Sequence, residues 1–141
     1  MAKRKQFKVL HWLNHGCYPG TTMFSAGFSH KEIAQLLKRK KATDWLVGIS
    51  NESDINLINN NWCCLKRELV RSKTNETKTY FYINLNNCFE FTDYDYCKLA
   101  HEITHLCQFF LPDVLDRTKE IEAEAYFHTH IMQQCLKILR G

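Results

Sequence analysis

No apolar run in this sequence approaches the roughly 20 residues that a membrane-crossing helix needs, which excludes a bilayer-spanning helix. A secretory signal core is missing too: MAKRKQFKVLHWLNHGCYPG starts basic, but its apolar stretch is short and broken by His11, Asn14 and His15. Internal repeats and low-complexity segments are absent, and nothing marks a second domain. The only two prolines, Pro19 and Pro112, both fall where the apolar pattern stops. Cysteine comes in an odd number, seven, and Cys63 and Cys64 are adjacent, which argues against a disulfide framework (Cys17, Cys88, Cys97, Cys107 and Cys135 are the others). Reduced thiols and a cytoplasmic location are the expectation. What is present suits one core: 141 residues, 45% hydrophobic and 13% aromatic, can bury roughly two-thirds of the unfolded surface, so a single domain over 1–141 is expected.

The formal charge of +4 comes largely from Lys3, Arg4, Lys5 and Lys8 and from Lys38-Arg39-Lys40-Lys41. Such clusters suit an acidic partner, but four cations closing a helix also sit favourably at its negative end. No nucleic-acid-reading motif accompanies them, which argues against nucleic acid as the partner.

Local patterns outline an α+β fold. FKVLHWL, residues 7 to 13, reads as a buried strand or short helix, stopped by Tyr18-Pro19-Gly20. Ser29 with Glu32 makes a capping-box signature before KEIAQLLKRKK, predicting a helix over 30–41. Asp44 to Ile49 suits a strand or a short helix, and the polar SNESDINLINNN is turn-rich; periodicity does not settle either. Trp62 to Val70 and Thr77 to Leu85, rich in β-branched and aromatic residues around Ser72-Lys73-Thr74-Asn75-Glu76, predict a β-hairpin. In its second arm Phe81, Ile83 and Leu85 share one face and Tyr80, Tyr82 and Asn84 the other, as in a strand half buried and half available. Thr92, with Asp93 and Asp95 in the first turn and Pro112 beyond, predicts a helix over 93–110. A last helix is expected from near Asp116 or Thr118 to Arg140, with Ile121, Ala125, Ile131, Leu136 and Leu139 as packing residues. Together these predict a small antiparallel sheet packed against two helices.

The chemistry lies on the first of those helices. His101-Glu102-Ile103-Thr104-His105 is an H-E-x-x-H motif, and residues four apart on a helix project from one face within reach of a single ion. Zinc at a catalytic site takes three protein ligands and a water, so one more ligand must come from elsewhere. Glu102 is poorly aimed to be that ligand but well placed as general base toward a metal-bound water. The last helix offers Glu120, Glu122 and Glu124, and the short connection Leu111 to Asp116 suits antiparallel packing. Periodicity does not choose among the three. Small neighbours at Ala123 and Ala125 favour close approach at Glu122, with Glu120 and Glu124 facing solvent or supporting the ligands.

HEITH followed by E-A-E-A-Y resembles the gluzincin branch of zincin metallopeptidases. LAHEITHLCQFFLPDVLD with EIEAEAYFHTHIM is similar to small zincin-like proteins of uncharacterised function from tailed phages and gut-bacterial mobile elements. It is loosely similar as well to immunity-type metallopeptidases that cut phage repressors, whose pattern is E-x-E-A-N before an aromatic residue; Glu124 stands at the asparagine. The likeness spans Asp93 to Leu136. It implies one zinc ion held by His101, His105 and Glu122, with Glu102 as base, and a protein or peptide substrate added as a strand alongside Thr77 to Leu85. Tyr126 and His130, one and two turns past Glu122, become candidate donors to the transition-state oxyanion, although both also read as packing and surface residues. A structural zinc in a non-catalytic binding or virion-associated protein is the alternative, and the presence of Glu102 argues against it. His11, His15 and Cys17 have ligand spacing only in a helix that Gly16 and Pro19 would disrupt, and Cys97 and Cys107 read as packing thiols.

Overall fold

The computed structural model describes residues 7–70, 73–87, 92–116 and 120–140; Lys3, Arg4, Lys5, Ser72, Cys88 and Thr118 lie outside them. Strands β1 (Val9–Asn14) and β2 (Thr21–Ala26) come first, followed by helices α1 (His30–Arg39), α2 (Thr43–Val47) and α3 (Glu52–Asn60). Strands β3 (Cys63–Val70) and β4 (Thr77–Leu85) follow, then helix α4 (Asp93–Phe110), a 3-10 turn (Leu111–Asp113) and helix α5 (Ile121–Arg140). The fold is α+β, with a four-stranded sheet in the order β1-β2-β4-β3.

The sheet is mixed, which corrects the expectation of a purely antiparallel one. The β1/β2 and β3/β4 pairs are antiparallel, but β2 and β4 run parallel, with Thr22 opposite Phe81 and Ala26 opposite Leu85. A parallel pair needs a crossover, and α1 to α3 with β3 supply it. These three helices cover one face of the sheet, where Leu10, Met23, Tyr80 and Tyr82 meet Ile33, Leu37 and Ile58. On the other face Leu13, Phe24, Phe81, Ile83 and Leu85 pack against Leu99, Ile103 and Leu106 of α4 and Phe127, Ile131 and Cys135 of α5. With helices on both faces, Tyr80 to Leu85 are all buried, so β4 is not half available.

Local chemistry explains most of the elements. Ser29/Glu32 and Thr92/Asp95 both form complete capping boxes, opening α1 and α4. The undecided stretch around Asp44 is helical. So is most of the polar SNESDINLINNN, where the Asn51 side chain caps α3 by accepting from the Asp54 amide at 2.7 Å. Asp54 is 2% exposed and paired with Arg67 of β3, whose Nε donates to it at 2.8 Å. This bond ties a helix with little apolar surface to the sheet. Arg67→Met would strand a buried carboxylate, and we expect a loss of about 2 kcal/mol by urea denaturation, below the usual cost of breaking a buried pair because Arg67 is partly exposed.

Helix α5 runs antiparallel to α4, and its buried residues are Phe127, Ile131, Cys135 and Leu139. Of the expected packing residues, Ile131 and Leu139 are buried and Leu136 is half-buried. Ile121 is 71% exposed and Ala125 is exposed, because a stripe through Phe127 and Ile131 turns both outward.

Candidate metal centre

His101 and His105 come together on the outer side of α4, where the one-turn spacing aims both rings at the same point. Their Nε2 atoms stand 3.0 Å apart, with the rings edge to face. Two nitrogens facing each other at that distance need a proton or a cation between them. Two imidazoles bound tetrahedrally to one zinc ion at ~2.0 to 2.1 Å would place these atoms roughly 3.3 to 3.4 Å apart, so the pair is close to ligand geometry. His105 Nδ1 lies 3.0 Å from Gln108 Oε1, and its ring stacks on Phe109. With Nδ1–H donating to Gln108, the lone pair of His105 falls on Nε2, the atom facing His101.

Glu102 is half-buried, near enough to β3 for its charge to be felt by Cys63 and Cys64, and lines the groove beside His101. Burial raises its carboxyl above the usual range, opposed by the charges of His105, His101 and Lys98. The same carboxylate is felt across the interface: burial, and after it Glu102, pushes the Cys63 thiol up to about 12 and raises Cys64 also. These thiols stay protonated, as packing cysteines should. Cys107 is buried in the same way, whereas Cys97 is exposed.

The expected third ligand does not join the pair. Among the described residues no group of three His, Cys, Asp or Glu side chains is close enough to hold one ion. Glu122 lies in the exposed first turn of α5, whereas Glu124 is half-buried. Helix phase explains the difference. His128, one turn past Glu124, faces α4 with Nε2 3.2 Å from the Ala100 carbonyl and 3.4 Å from Thr104 Oγ1. Glu124 shares that inward face, and Glu122, two residues earlier, points the opposite way. Glu120 Oε2 accepts from the Asp116 amide at 3.1 Å.

The two candidate oxyanion donors are not at the pair either. Tyr126 is 72% exposed, and His130 Nε2 lies 2.8 Å from Asn14 Oδ1 at the end of β1. His11 is exposed and His15 is buried beside Thr22, so the second cluster of ligand-spaced residues does not assemble. Thr77 to Leu85 is not the edge strand, since β4 pairs on both sides; the free edge next to α4 belongs to β3. The hairpin reading could not tell its inner arm from its outer one, because the parallel neighbour β2 lies far away in sequence.

Beside the histidines opens a groove of about 750 Å³, lined in part by Asn61, Trp62, Asn86, Lys98, His101 and Glu102. Trp62, expected only as the start of a strand, and Lys98 are not among the site residues that the sequence suggests, although Lys98 stands four residues before Glu102 and so on its side of the helix. The chain matches no family model, no curated protein and no solved structure.

Proposed function

We propose that the protein is a zinc-dependent metallopeptidase acting on a protein or peptide, with His101 and His105 as two zinc ligands and Glu102 as general base. The observation that carries this reading is the convergence of the two Nε2 atoms at 3.0 Å beside a half-buried glutamate at the end of a groove. A zinc ion held there would supply a Lewis acid for the scissile carbonyl and a more acidic water. Glu102 takes up a proton at its carboxylate and returns it to the leaving amine. Burial strengthens it as a base, since the desolvated anion is less stable than one in water. Gln108 orients His105, and the groove holds the substrate chain.

The resemblance implies Glu122 as third ligand, but helix phase favours the half-buried Glu124 of α5, with the exposed Glu120 one turn before it on the same side. Elemental analysis of purified protein tests the reading. We expect about one zinc per chain, retained in Glu122→Ala and lost in His101→Ala and in the double variant Glu120→Ala/Glu124→Ala. Zinc lost from Glu122→Ala and kept in the double variant would return the ligand to Glu122. No zinc in protein prepared without chelator, and none taken up on addition, would end the enzyme reading and leave two packed helices.

A further inference from the structure

The groove beside His101 contains a cation whose position is set in advance. Lys98 lies four residues before Glu102 and three before His101, on the same side of α4. Its Nζ stands 4.1 Å from the centre of the Trp62 ring and 5.8 Å from that of Tyr94. The Trp62 ring is itself fixed, because its Nε1–H donates to the Asn86 carbonyl at 2.7 Å, and the Asn86 side chain donates to the Asn59 carbonyl. An ammonium resting on an aromatic face is held electrostatically, and its remaining N–H donors stay available on the other side. Lys98 forms no ion pair within 4.0 Å among the described residues. The other acid beside it, Asp95, is occupied by the capping box with Thr92.

We infer that Lys98, clasped over Trp62, is a specificity-determining residue that selects substrates bearing a carboxylate one or two residues from the bond to be hydrolysed. The distance follows from the helix. Four residues of helix, a rise of about 6 Å, separate Lys98 from Glu102, and an extended chain advances about 3.3 Å per residue, so the two groups address substrate positions one or two residues apart. Holding the lysine in place before binding removes most of the ordering cost that a free surface lysine incurs. The carboxylate could belong to an aspartate or glutamate side chain or to a chain terminus. The inference rests on the peptidase reading for the word substrate, and on the groove alone for the binding preference.

Binding is therefore measured on the Glu102→Gln protein, by fluorescence anisotropy of labelled short peptide pools. One pool carries a fixed central glutamate and an amidated C-terminus; a second replaces that glutamate with glutamine; a third is the glutamine pool with a free C-terminus. A charge-assisted contact predicts roughly tenfold tighter binding of a carboxylate pool than of the amidated glutamine pool, and which pool gains tells side chain from terminus. Lys98→Met should equalise the pools, and Lys98→Glu should turn the preference toward a pool with a central lysine. Trp62→Leu, which keeps the lysine and removes its platform, should weaken the preference. Equal binding of all pools, no binding by any, or a preference that survives Lys98→Met would overturn the inference. Hydrolysis of the same pools by the unaltered protein is scored separately: a charge preference without hydrolysis keeps the Lys98 site and removes the peptidase reading.

Discussion

Glu102→Gln is expected to reduce peptide hydrolysis by about 10²- to 10⁴-fold while leaving the zinc content unchanged. The amide keeps the size and hydrogen-bonding reach of the carboxylate but cannot take up a proton. Zinc retention follows because Glu102 is assigned as the base beside the histidine pair and not as one of the ligands. The fold should tolerate the change. Burial raises the Glu102 carboxyl, so the folded state holds its proton more tightly than the unfolded one, and the ionised form costs stability as pH rises past the ordinary carboxylate range. A neutral glutamine removes that cost, so the melting temperature near neutral pH should stay level or rise. Zinc content, melting temperature and turnover measured on one preparation separate the outcomes. Hydrolysis that survives in a zinc-loaded Glu102→Gln protein would remove the base from the mechanism and favour a binding protein with a structural metal.

The second large effect is acid destabilisation through His15. Its ring is 1% exposed and lies among Phe81, Phe110 and Phe127, 4.3 Å from Phe110 between centroids. Nε2 meets Thr22 Oγ1 at 2.7 Å, whereas Nδ1 has no hydrogen-bond partner among the described residues. Desolvation lowers the pKa to about 4; the Pro19 backbone lies near enough to pull the other way, and the charge of His130 adds a smaller lowering. The folded pKa is depressed, so the stabilisation is complete above the unfolded value of about 6.5. It is lost as pH falls toward about 4, where the unfolded chain takes up a proton that the core refuses. The difference corresponds to about 3 kcal/mol. Urea denaturation across this window should show the unaltered protein losing that much more stability than His15→Gln, which cannot titrate there. Parallel pH dependence of the two proteins would mean that the ring accepts its proton inside the fold.

Much of the architecture was legible because it is written in short-range chemistry. Ser29 and Thr92 announce α1 and α4 through capping boxes, and the hairpin follows from two apolar arms around a polar turn. Helix α3 was hidden because its 52–60 stretch is polar and its buried residues are only Asp54 and Ile58. Its helix depends on an ion pair with Arg67, which no local pattern contains. The same limit applies at the candidate site. The spacing of His101 and His105 is a property of one helix, so their convergence could be read directly. The third carboxylate depends on which face of α5 meets α4, and small neighbours drew attention to Glu122 where Phe127, Ile131 and His128 turn Glu124 inward.

The sequence by itself therefore determined the α4 helix, the pairing of its two histidines and the β3/β4 hairpin, since each arises from contacts a few residues apart. Only the tertiary structure decided that β3 and not β4 is the free edge, that β2 and β4 run parallel, and that Lys98 rests on Trp62 beside Glu102. Those outcomes join segments distant in the chain, and their free energy comes from burying faces against each other, which no local window of sequence records.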